Sequence, residues 1–130
     1  MSYKDFTEMP VWQEAFKLLL RVYELTKIYP VEEKYGLVSD MRRAANSVSN
    51  NVSEGFGRFE KKDKTRFYKI SRGSSYEISN QSLASHAIGY ISETEKDELV
   101  NGYYEVIPEL DSMIKSIETS KIKRDVYRSP

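Results

Sequence analysis

Residues 11–37, VWQEAFKLLLRVYELTKIYPVEEKYGL, hold one complete helical period pattern, a break at Pro30 and the start of a second pattern. From Pro10 to about Ile28, the residues Trp12, Ala15, Phe16, Leu19, Val22, Tyr23 and Thr26 recur on one side at about 100° per residue, the signature of an amphipathic helix. Pro10 suits the first turn of that helix, where its missing N–H costs nothing. Val11, Leu18 and Leu25 widen the stripe to one flank, which predicts a second apolar contact. The segment IYPVEEKYG cannot continue the helix, so the chain must turn there.

Outward from this stretch the same period repeats. Leu37, Met41, Ala44, Ala45, Val48 and Val52 predict a second helix over about 34–54, ending near Gly55. A third, about 62–91, presents Phe67, Ile70, Ser74, Ile78, Gln81, Ala84, Ile88 and Ile91 on one face. Small residues there (Gly73, Ser74) and on the second helix (Ala44, Ala45, Ser47) let two backbones approach closely. SETEKDEL reads as a turn whose acidic residues lead into a fourth helix, about 96–118. Its core face is Leu99, Tyr103, Val106, Leu110, Met113, Ile114 and Ile117, with a bend expected at Pro108 and a flexible tail over 119–130. Four helices, no strand pattern and short connections predict an all-α, up-down-up-down antiparallel four-helix bundle in one domain spanning 1–130.

Composition is that of a soluble globular chain: 130 residues, formal net charge zero and no cysteine. The opening MSYKDFTEMP has acidic residues and no apolar run, and LLL at 18–20 is too short to cross a bilayer, so a cytoplasmic protein with no membrane partner is expected. Without cysteine there is no disulfide, thiolate nucleophile or Cys-ligated zinc.

Neutrality hides a segregation of charge. Lys61, Lys62, Lys64, Arg66, Lys69 and Arg72 crowd the start of the third helix against Asp63 alone, while the fourth helix is acidic. Two arrangements follow. In an antiparallel bundle these cations can pair with Glu105, Glu109 and Asp111; alternatively Lys62, Lys69 and Arg72 form an outward stripe for phosphates, with Tyr68 and Tyr76 near enough to stack on bases. Arg58, just before the run, extends that candidate nucleic-acid or partner surface.

Chemistry-bearing constellations are sparse. The single histidine, His86, is preceded at three residues by Leu83, so the Glu-x-x-His pair of a di-iron bundle is missing, and no nucleophile elbow accompanies the serines. No catalytic residue, metal site or cofactor is expected. Gly55 and Gly57 follow a helix and fit neither the phosphate-loop nor the dinucleotide spacing. They read as a corner, with Gly55 in a left-handed cap, Gly57 turning the chain and Arg58 bonding the free carbonyls of the second helix. Glu54 and Glu77 then offer acceptors to Arg42, Arg43 or Arg58 in a partly buried brace.

The strings MRRAANSVSNNVSEGFGR and KDKTRFYKISRGSSYEI, preceded by residues 11–37, resemble the bacterial four-helix-bundle proteins known as 23S rRNA intervening-sequence proteins. Trp12, Pro30, Glu33, Gly36, Leu37, Arg42, Arg43, Ala44, Asn51, Glu54, Gly55, Gly57, Arg58, Phe67, Gly73, Ser74 and Glu77 match the family pattern over roughly residues 6–118. VSNNVS replaces a more apolar segment and makes the second helix more polar. The resemblance implies a four-helix bundle assembling as a homopentamer, with no established activity. A relative of similar fold, the accessory variability determinant of diversity-generating retroelements, works with a reverse transcriptase and nucleic acid; it is strongly basic, whereas this chain is neutral.

Overall fold

The computed structural model describes the backbone of residues 2–128 and the side chains of residues 2–120. Four helices carry it: α1 (Pro10–Thr26), α2 (Leu37–Phe56), α3 (Lys61–Ile88) and α4 (Glu93–Arg128), with short 3-10 turns at Phe6–Glu8 and Val31–Glu33 and no strand among the described residues. α1 packs on α2 and α4, α3 packs on α2 and α4, and α1 and α3 do not touch among the described residues. Cross-helix contacts run in opposite senses: Arg43 meets Glu77 while Ser71 bonds Val48, and Lys69 meets Glu118 while Arg72 meets Asp111.

Helix ends follow local chemistry. α3 stops at Ile88, short of the expected 91, because Gly89 adopts φ 104 and its N–H, with that of Tyr90, closes on the Ser85 carbonyl. α4 begins at Glu93 rather than 96, since Ser92 accepts from the Glu95 N–H while Glu95 accepts from the Ser92 N–H, a reciprocal cap. It runs through Pro108 to Arg128, past the expected end at 118, because 119–128 contains neither glycine nor proline to stop it. The expected flexible tail otherwise falls on residues 129–130 and on side chains beyond 120, outside the described residues.

Of the expected inward face of α1, Ala15, Leu19, Val22 and Thr26 are buried while Phe16 and Tyr23 lie at the surface; Val11, Leu18 and Leu25 are buried too, in keeping with the second apolar contact that the widened stripe predicts. Two neighbours press on the aliphatic side, so the aromatic edge is left outside, where Trp12 stacks on Phe16 at 4.7 Å and the Arg42 guanidinium covers the Tyr23 ring at 4.5 Å.

α3 departs furthest from expectation. Its buried face is Ser71, Ser74, Ser75, Ser79, Ser82 and Ser85 around Ile78, with Ile70 and Ile88 at the surface. The hydroxyls are paired locally: Ser75, Ser79 and Ser82 donate to the carbonyls of Ser71, Ser75 and Ile78, and Ser71 donates across to the Val48 carbonyl at 2.8 Å. Serine is small enough to let α2 and α4 close on the α3 backbone, and the back-bonds remove the cost of burying hydroxyls. Helical period is legible in the sequence, but the close approach of two neighbours selects the small side of α3 over the bulky one.

At one end of the molecule two connectors are tied together. Tyr29 and Tyr90 pack at 5.1 Å, and Tyr90 donates to Glu33 Oε2 at 2.8 Å, while Glu33 Oε1 accepts from the Leu37 N–H at the start of α2.

The Tyr103 hydroxyl is buried without a hydrogen-bond partner among the described residues, and burial holds the phenol protonated well above its ordinary value. The unfolded chain ionises this group first, so its titration leaves stability unchanged below about pH 10 and lowers it above that. Tyr103→Phe should therefore raise the unfolding free energy at neutral pH by about 1 kcal/mol and make its alkaline decline shallower, measured by urea denaturation across about pH 7–11.

Candidate functional site

The corner between α2 and α3 gathers the candidate residues on two short segments. Gly55 lies inside α2 rather than in a left-handed cap; the helix ends after Phe56, and Gly57 caps it with right-handed geometry, its N–H reaching the Ser53 carbonyl at 3.1 Å. A Cβ on Gly55 would stand 2.5 Å from the Tyr68 ring, so this glycine is required by the approach of α3. Lys64 is the side chain that satisfies the free carbonyls of α2, its Nζ donating to Gly55 at 3.1 Å and to Phe56 at 2.8 Å, while Arg58 reaches the Gly55 carbonyl with its backbone N–H at 3.3 Å. Burial lowers the pKa of its amine.

The expected brace divides into separate pairs. Arg58 pairs with Glu54 at 3.3 Å, Arg43 with Glu77 at 2.8 Å, and both pairs are largely exposed rather than partly buried. The Glu77 carboxylate raises the pKa of Arg43 further. Arg42 turns the other way, donating to Thr26 Oγ1 at 2.9 Å. Asn51 donates to Ser47 Oγ at 3.0 Å, and the hydroxyls of Ser47 and Ser74 lie 2.7 Å apart, joining α2 to α3. Gly73, one residue earlier, is exposed, and a methyl group added to it would meet nothing within 4 Å beyond the adjoining residues and backbone of its own helix.

Along α3 the basic run splits. Lys69 pairs with Glu118 at 2.7 Å and Arg72 with Asp111 at 2.5 Å, so the two outermost cations are matched by α4. Asp111 is one of the expected partners; Glu105 and Glu109 make no ion pair with α3 among the described residues. Lys61 donates to Ser120 Oγ at 3.0 Å. Lys62 and Arg66 have no carboxylate partner among the described residues. The Phe67 ring carries two guanidiniums, Arg58 at 4.8 Å and Arg66 at 4.4 Å. Phe59, which no motif or period in the sequence singles out, follows Arg58 and is 98% exposed. Tyr68 is buried against α2 and is no stacking platform, whereas Tyr76 is exposed, next to Tyr104 and beneath Arg72. His86, half-buried near the end of α3, bonds through Nδ1 to the Ile91 carbonyl at 3.0 Å.

The sequence pattern of the family described as 23S rRNA-intervening sequence protein matches residues 7–112, which includes the corner, the serine face of α3 and the joined connectors. The chain belongs to that family. Among solved structures it is similar to a protein of unknown function from the S23 ribosomal protein family of Bacteroides thetaiotaomicron, with a TM-score of 0.75 at 20% identity, covering 81% of this chain and 95% of that one. At that identity the likeness shows the fold. No curated protein matches. No helix among the described residues is long and apolar enough to cross a membrane.

Two substitutions separate packing from surface charge in this family member. Gly55→Ala should cost about 1–3 kcal/mol, because the added methyl displaces Tyr68. Arg72→Met should leave the thermal midpoint within about 2 °C, as exposed ion pairs contribute little. Circular dichroism melts check both.

Proposed function

We propose that the protein is a non-enzymatic, up-down-up-down antiparallel four-helix bundle that works as a cytoplasmic homo-oligomer, in keeping with the pentamer its family resemblance implies. The polarity of α3 carries this reading. A helix that buries serines and leaves Ile70, Leu83 and Ile88 exposed is inverted relative to one that faces water. Gly73 adds to the same surface: a glycine inside a helix costs about 1 kcal/mol relative to alanine, and nothing in the chain itself needs its small size. On α1, Phe16, Leu20 and Tyr23 are also exposed. Because α1 and α3 sit on opposite corners, an α1 face docking on the α3 face of the next copy is a head-to-tail contact, which closes into a ring when the rotation between copies divides a full turn.

A second reading, contact with RNA, DNA or a nucleic-acid enzyme, is favoured by Arg58, Lys62 and Arg66. Lys62 and Arg66 lack carboxylate partners among the described residues, and Phe59 stands exposed in the same corner. Lys69 and Arg72, matched by α4, contribute less to such a surface than the sequence suggests.

Light scattering coupled to size exclusion should give a mass several times that of one chain, falling to the monomer in Ile70→Glu/Ile88→Glu with helicity unchanged. A wild-type protein that stays monomeric at high concentration defeats the first reading. For the second, Lys62→Glu/Arg66→Glu should lower affinity for a labelled single-stranded RNA and flatten its salt dependence, measured by fluorescence anisotropy; absence of any salt-dependent binding by the wild type defeats it.

A further inference from the structure

The end of the molecule opposite the tied connectors holds a cleft of about 640 Å³ between the N-terminal segment, the end of α2, the start of α3 and the middle of α4. Tyr3, Met9, Val11, Phe56, Met113 and Ile117 give it apolar walls. Its volume falls in the range of small-molecule sites, and its lining is mixed, with polar side chains contributing about as much surface as the apolar walls. Two polar groups on α3 also line it: Lys64 and Tyr68.

We propose that this cleft binds a small amphipathic monocarboxylate, its carboxylate held by Lys64 Nζ and the Tyr68 hydroxyl and its apolar body lying along Met9, Met113 and Ile117. Lys64 commits two of its three N–H groups to the Gly55 and Phe56 carbonyls, which fixes the ammonium in place and leaves one donor. It has no carboxylate partner among the described residues, so a positive charge stands at the cleft uncompensated, and burial alone shifts its titration downward. Tyr68 is only 4% exposed, lines the cleft, and its hydroxyl makes no hydrogen bond among the described residues. A ligand oxygen in the cleft would accept from this phenol in place of solvent. Ser112 and Ser116 line the cleft with hydroxyls likewise unpaired among the described residues. Glu109, on the α4 side of the cleft, is the one carboxylate in its lining and directs an anionic ligand end toward α3. The site is independent of assembly through the α1 and α3 faces and of the corner cations Lys62 and Arg66.

Titration with the fluorescent probe 1-anilinonaphthalene-8-sulfonate tests it, followed by displacement with octanoate, octan-1-ol or octylamine on the full chain. One probe should bind per chain, and octanoate should displace it at about tenfold lower concentration than octanol, with octylamine weaker than both. Tyr68→Phe, which keeps the packing, should weaken octanoate about tenfold and leave octanol within about twofold. Lys64→Met should do the same where it folds, and Ser116→Trp should abolish probe binding. The proposal is overturned by no saturable probe binding, by octanol or octylamine displacing as well as octanoate, by Tyr68→Phe changing octanoate and octanol equally, or by Ser116→Trp retaining the probe. Light scattering on the same samples reports assembly separately, so failure of one reading is not mistaken for failure of the other.

Discussion

The serine-lined face of α3 is the constraint on which the rest of the molecule depends. Each hydroxyl that bonds back to its own helix lets the α3 backbone approach its neighbours without an unpaired polar group between them, and Ser71 and Ser74 extend that bonding to α2. The approach dictates what the neighbours can be. α2 answers with Ala44, Ala45 and Gly55, while α4 contributes the large buried side chains Leu99, Tyr103, Val106 and Leu110. The apolar core is therefore lopsided, concentrated between α1, α2 and α4, with α3 completing it mainly through Ile78 and Tyr68.

The same constraint decides which charges remain available. Close α3–α4 packing brings Lys69 and Arg72 within reach of Glu118 and Asp111, so the far end of the basic run is matched by the acidic helix beside it. Close α2–α3 packing turns Lys64 inward onto the end of α2. Of the cations of this run without a carboxylate partner among the described residues, Lys61 donates to Ser120 and Lys64 to the end of α2, which leaves Lys62 and Arg66 at the start of α3, a few residues beyond the exposed Phe59.

The number and order of the helices and their approximate limits, the end of α4 excepted, were legible in the sequence because each depends on local signals: Pro10 at a first turn, Pro30 at a break, and runs of apolar period. So were the core positions of α2 and α4. The bulky residues of α1 and α3 that stay outside, Phe16, Tyr23, Ile70 and Ile88, were not, because each helix offers two candidate stripes and only the position of two neighbours chooses between them. Serines recurring at 71, 75, 79, 82 and 85 carried the needed signal for α3, but a polar residue reads as surface until its back-bonding is known. At the corner, residue types were legible and partners were not: Arg58, Arg43 and Lys64 are each flexible enough to reach several acceptors. Gly55 stands out in the sequence for its backbone freedom, whereas its use is the space it leaves for Tyr68.

The tie between Tyr29, Tyr90 and Glu33 has a mechanical consequence. It fastens the α1–α2 turn to the α3–α4 turn, so the two helical hairpins are joined at one end by an aromatic contact and a hydrogen bond that reaches the first turn of α2. At the far end the hairpins are joined by the α2–α3 link, and there the cleft lies. The two hairpins are thus held at both ends, by side chains at one and by the chain itself at the other, where Lys64 adds two hydrogen bonds from α3 to the end of α2.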